Sequence, residues 1–374
     1  MYGGKPCDKK GSDTMMRRTA TCLLAMGLLL IALPASADMF QHHTGQAEIE
    51  QKIVERPLVV GKGWVEMGIG FDWKHSASDF LPGDSAAVAG FVPDKHFQRF
   101  GNDARFDQRR FALDFRWGFT KGTDVYLHVP FLWNQLRNSN AGADGETVNV
   151  NTFAIGDMEM GVLVQWLRKV DPAGKFNNSL GSHFHVKAPT GLESPGSYVP
   201  SPGLITVMPT GTGQYNFGVD LEFKQQLDFM AIDVRAGYMW RTTGIAQYLI
   251  EDDQHQFALR IDPGDGVQWG LQVMFQLARF LTLGVGADFE YRFATKIGPS
   301  SRGIASCKEC EPVEGSNGLY MDGGGVVSIT PNRNFQVDLR FAYTLGGRPA
   351  YLIPLEDVTP TRGWTAGGSV MYRF

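Results

Sequence analysis

After residue 37 this chain has no unbroken apolar run of the ~18 residues that a helix needs to cross a bilayer. That excludes a helical membrane protein once the N-terminal segment is set aside. Bases do not exceed acids: 35 Lys and Arg stand against 39 Asp and Glu. The charge balance therefore offers no electrostatic footprint for nucleic acid. Cysteine is scarce, with four in 374 residues, too few for a disulfide scaffold. No G-x-S-x-G elbow and no H-E-x-x-H pair occurs, so no nucleophile or zinc-protease constellation points to an enzyme. No His follows Cys307-Lys308-Glu309-Cys310, so it is not a haem-attachment motif, and no cofactor is expected.

What is present begins with an export signal. Arg17 and Arg18 form a positive region, Leu23 to Leu33 an apolar run, and Ala35-Ser36-Ala37 a small-x-small cleavage site. The run is too short to span a membrane. A start at Met15 or Met16 fits the signal as well as one at Met1. Cleavage predicts a mature chain from Asp38, with 30 bases and 37 acids once five and two are removed, a net charge of −7.

The other end alternates. Phe374, Tyr372, Val370, Gly368, Ala366 and Trp364 share one face, and Arg373, Met371, Ser369, Gly367 and Thr365 the other. Eleven earlier segments repeat the pattern, each about ten residues long, as tilted membrane strands require. Their apolar sets include Met67, Ile69, Phe71 and Trp73; Phe111, Leu113, Phe115 and Trp117; Met160, Val162, Val164 and Trp166; and Leu339, Phe341 and Tyr343. Many runs finish on Trp or Tyr, as aromatic girdles at the two membrane interfaces do. Connections alternate between short turns such as Thr120–Thr123 and long ones such as 74–106 and 191–213. A soluble sandwich would need one very large core for twelve such strands, with charges facing into it.

The opposite register predicts a charged lumen. Its candidates for lining a pore or meeting a ligand are Arg110, Asp114, Arg116, His128, Asp157, Glu159, His183, His185, Lys187, Asp220, Glu222, Arg235, Arg241, Arg292 and Arg340. With Glu66, Asp72, Asp233, Asp288, Glu290, Asp322 and Asp338 on the same face, the two signs nearly balance, as cross-strand bracing would have it. His183 and His185 lie about 7 Å apart along one strand, but two ligands do not define a metal site, and no metal is expected. Cys307 and Cys310 fall in a long loop of an oxidising compartment, where a local disulfide is the default. Apolar residues crowd the outer loops. Phe80, Phe91, Phe97, Phe100, Tyr198 and Tyr248 are candidates for capturing a hydrophobic solute, or for packing as a lid.

Five segments carry a family resemblance: GFTKGTDVYLHVPF at 118–131, IGDMEMGVLVQWL at 155–167, VKAPTGL at 186–192, PTGTGQYNF at 209–217 and DPGDG at 262–266. The chain from Arg56 to Phe374 resembles the outer-membrane barrels named for the meta-pathway of phenol degradation, which are similar to the fatty-acid and toluene channels. The resemblance implies a transporter of small, often aromatic, hydrophobic compounds.

The expectation is an all-β protein: a transmembrane antiparallel β-barrel of about 12 strands with short periplasmic turns and long extracellular loops. Residues 1–37 are its signal peptide, 38–62 a periplasmic segment or short plug, and 63–374 the barrel. It is expected in the outer membrane as a non-enzymatic channel for small hydrophobic or aromatic compounds. The alternatives are a general or anion-biased small-solute porin and a non-transporting structural barrel. Expected partners are outer-membrane lipid and lipopolysaccharide, the barrel-assembly machinery reading Phe374, and a small solute.

Overall fold

The computed structural model describes residues 58–78, 105–138, 148–170, 177–192, 198–199, 204–205, 210–227, 229–249, 256–299, 310–312, 317–332, 334–348 and 362–374. Within them the alternating segments form twelve long strands: β1 (Val65–Ser78), β2 (Arg105–Gly118), β3 (Thr123–Asn138), β4 in two arms (Val148–Ile155 and Met158–Val170), β5 (Asn177–Ala188), β6 (Asn216–Gln226), β7 (Met230–Arg241), β8 (Gly266–Ala278), β9 (Leu281–Arg292), β10 (Gly318–Asn332), β11 (Phe335–Arg348) and β12 (Arg362–Arg373). Each pairs antiparallel with its neighbours in sequence. β1 also pairs with β12, from Glu66 opposite Arg373 to Ser78 opposite Arg362. Val65 and Phe374 exchange two backbone hydrogen bonds of 3.0 Å. The sheet is therefore a closed tube, the form in which strands satisfy all their backbone groups within lipid.

The period of two decides which way each side chain points. On β1, Met67, Ile69, Phe71 and Trp73 are exposed, whereas Glu66 and Asp72 are buried. The same inversion runs round the wall through Leu113, Leu221, Leu271, Val285 and Phe341, all exposed. A soluble core would hide these residues. Here they form an apolar belt around a polar interior, the arrangement of a membrane barrel. Trp73, Trp117, Trp133, Trp240 and Trp269 lie in that exposed set.

The belt departs from expectation on β4. Val162 and Val164, read as outward, are buried. Val162 packs between its register partners Val125 and Phe184. A bulge between Gln165 and Leu167 turns the strand. Trp166 there donates its indole N–H to Ser182, the partner of Val164, at 2.6 Å.

The upper arm of β4 pairs only with β3, from Phe131–Ile155 to Asn138–Val148. The wall therefore rises along β3 and this arm. Segments read as plain loops also contain strands. Gly244–Leu249, Gln256–Asp262, Lys296–Pro299 and Glu311–Pro312 form a four-stranded outer sheet, and Tyr198–Val199 pairs with Leu204–Ile205. These runs are too short for their alternation to stand out.

Candidate functional site

At its short-turn end the lumen holds residues 58–60, which precede β1. Gly61 and Gly63 take φ of 94° and 80°, left-handed values natural to glycine, and fold the segment before β1 back into the tube. Leu58, Val59 and Val60 are buried, and Leu58 and Val59 cluster with Leu163 of β4. Asp124 at the foot of β3 is fully buried and holds this turn. Its Oδ2 accepts the Val60 N–H at 2.7 Å and Arg116 Nε at 2.7 Å. Arg116 in turn donates to the carbonyl of Leu58. Neither Asp124 nor the lumenal Tyr126 was among the predicted site residues. Both were legible by counting back in twos from His128.

Above this latch the predicted inward charges are brought together as braces. Asp72 accepts Arg110 Nε at 2.9 Å and, on its other oxygen, Arg340 Nε at 2.6 Å. Arg340 reaches it from β11 across β12. Gly367 stands between them in register, and a Cβ there would strike the Asp72 carboxylate. Arg373 meets Glu66 at 3.1 Å, and Arg235 meets Asp288 at 2.9 Å. Glu290 takes both Arg241 at 2.7 Å and Arg292 at 2.8 Å. Asp114 engages His128 at 2.6 Å, and Glu159 accepts the Tyr126 hydroxyl at 2.9 Å. Lys187 is the register neighbour of Glu159.

The histidine pair is also met by acids. His183 Nε2 lies 2.7 Å from Glu222 Oε2, close enough for an ion pair although its angle is outside hydrogen-bonding geometry. His185 Nδ1 lies 3.5 Å from Asp220, which also accepts Gln268 Nε2 at 2.9 Å. Lys224 bridges Glu222 and Asp233 at 3.0 and 3.3 Å.

Asp157 requires a correction. The alternation places it facing the pore, but it is buried and its carboxylate is spent on the loop after β5. It accepts the Gly191 N–H at 3.2 Å, the Thr212 N–H at 2.7 Å and the Thr212 hydroxyl at 2.9 Å. Thr190 donates to the Gly156 carbonyl at 2.7 Å, and Thr210 to that of Ile155 at 2.8 Å. The Gly-Asp, Pro-Thr-Gly and Pro-Thr-Gly-Thr-Gly motifs are thus one knot, tying the loop to the break in β4. Bonds to a charged acceptor are worth about 1.5–3 kcal/mol each. Asp157→Ala should therefore free this loop while leaving the barrel intact. Limited proteolysis should show new cleavage within residues 189–214, and wild-type resistance would refute the assignment.

Within the braces lies a cavity of about 640 Å³. Arg235, Asp288, Asp322 and Arg340 line it together with Leu58, Leu163, Met274, Val326 and Met371. Met274, Ala231 and Val326 form a small apolar cluster. Such a volume suits a small organic molecule, and the mixed lining offers it both apolar surface and polar groups.

Of the predicted capture residues, Phe80, Phe91, Phe97 and Phe100 lie outside the described residues, and Tyr198 and Tyr248 sit on short strands of the outer loops. Cys310 is disulfide-bonded; Cys307 lies outside the described residues, as do residues 1–57 with the expected signal peptide.

No family model matches this chain, and no curated protein matches it significantly. Among solved structures it is similar to an outer membrane channel from Pseudomonas putida F1, with a TM-score of 0.57 at 9% identity over 84% of this chain and 97% of that one. Looser likenesses include a TodX monoaromatic hydrocarbon channel mutant, with a TM-score of 0.38 at 7% identity over 83% and 88% of the two chains. Another is the KdgM porin, at 0.34 and 9% over 82% and 99%. At these identities the first likeness is one of fold, and it agrees with the closed tube and its exposed apolar belt: this is an outer-membrane β-barrel.

Proposed function

We propose that this barrel is a passive channel through which small hydrophobic or aromatic compounds cross the outer membrane. The observation that carries the reading is the lumenal cavity of about 640 Å³, lined by Met274, Val326, Leu58 and Leu163 together with ion-paired side chains such as Arg235 and Asp288. A tube built only for structure would gain by filling that space with side chains. The fold shared with the Pseudomonas putida outer membrane channel supports passage as the role. The compound class draws on the motif resemblance and on those apolar side chains.

Proteoliposomes holding the full mature chain test this. Entry of small neutral aromatics such as toluene or phenol should be faster than into empty vesicles. Equal rates across the panel would end the reading.

A general small-solute porin is the second reading, favoured by the wet, charged wall. An anion bias is not favoured, because Arg116, Lys224, Arg235 and Arg340 along the cavity are each answered by a carboxylate. Steady ionic conductance without aromatic uptake would select the porin.

A further inference from the structure

The wall at β2 and β3 carries cations where a lipid-facing surface should have none. Arg105, Arg109 and Arg137 share the register of Phe111, Trp133 and the apolar belt, so they point out of the tube. Arg109 lies in the aromatic girdle, its guanidinium 4.5 Å from the Trp133 ring centroid and 5.9 Å from that of Trp73. Arg105 and Arg137 stand four residues further out, roughly 13 Å along the strand, beyond the tryptophans and toward the long-loop end. They are directly opposite one another across β2 and β3, and both are exposed.

Opposed like charges destabilise a strand pair unless something answers them. Among the described residues no carboxylate does. The one described acid on this patch, Asp107, accepts the Trp73 indole N–H at 2.9 Å and engages His75 at 2.8 Å. Beside Arg137 in register stands Asn149 on β4, an exposed amide that a sugar can use. Girdle tryptophans below and paired guanidinium forks above set an oily chain and an anionic head at their proper depths.

We propose that the outer end of β2 and β3 binds the phosphorylated sugar headgroup of an outer-leaflet lipid. Arg105 and Arg137 clamp one phosphate between them, and Arg109 lies below, at the level where the acyl chains begin. Phosphate suits the clamp because it accepts two guanidinium forks at once and cancels their repulsion. The site lies on the outer wall and is independent of what passes through the lumen.

The test uses the purified full chain in detergent, titrated with bisphosphorylated lipid A and followed by tryptophan fluorescence. Arg105→Gln and Arg137→Gln should each weaken binding by roughly tenfold, the equivalent of one bond to a charged group. Lipid A stripped of phosphate should bind as weakly to the wild type as intact lipid A does to the double variant. Without lipid, the double variant should be at least as heat-resistant as the wild type, because removing opposed charges relieves the wall. Unchanged affinity in the double variant, equal binding of the stripped lipid, or displacement by inorganic phosphate at lipid-like concentrations would overturn the proposal. So would a double variant that melts earlier than wild type in lipid-free detergent, since that would assign the arginines to the wall itself.

Discussion

Asp124→Asn should raise the conductance of the reconstituted channel several-fold. Asp124 is buried at the foot of β3, and one of its oxygens holds both Val60 N–H and Arg116 Nε at 2.7 Å. Removing its charge weakens two bonds that are each worth about 1.5–3 kcal/mol. Every ~1.4 kcal/mol shifts the balance between seated and released turn about tenfold. The asparagine is nearly isosteric, so the wall should remain. Replacing Leu58, Val59 and Val60 together by serine should have the same effect by another route, since it removes the apolar contact with Leu163. Single-channel recording in planar bilayers reads both. Currents equal to wild type in both variants would show that this turn does not close the mouth.

The second large effect concerns the wall. Val285 is 59% exposed and lies near the middle of β9, on the lipid side. Val285→Arg should cost about 2–4 kcal/mol of barrel stability, the penalty for a cation at the bilayer midplane. Urea unfolding in lipid vesicles measures it. In a soluble protein the same exposed valine would accept arginine at almost no cost. A neutral result would therefore contradict the membrane-facing assignment of the whole belt.

Strand positions were plain in the sequence because membrane walls obey a strict rule: one face must be oily along the entire span. Residues 65–73 and 364–374 show the rule undiluted. It says less about exposure: Val162 and Val164 keep the outward register, opposite Val125 and Phe184 and opposite Thr123 and Ser182, yet both are buried. The lumen was legible as a set of residues but not as pairs. Arg340 finds Asp72 only because barrel closure brings β11, β12 and β1 side by side. Asp157 departs from its expectation because of its partners. Its parity is that of a lumenal residue, yet its partners Gly191 and Thr212 arrive from a distant loop. The outward arginines on β2 and β3 are visible as exceptions to the oily face, but their opposition across the ladder needs the register.

The exchange of backbone bonds between Val65 and Phe374 bears on how such a chain comes apart. An open sheet can fray strand by strand from its sides. Below the upper arm of β4 a tube offers no side to begin from, so opening it there must break a whole run of rungs together, before any chain freedom is regained. The barrier to that step, more than the depth of the native well, sets how long the molecule lasts. Its endurance is accordingly a matter of rate: slow to be lost even where equilibrium would favour loss.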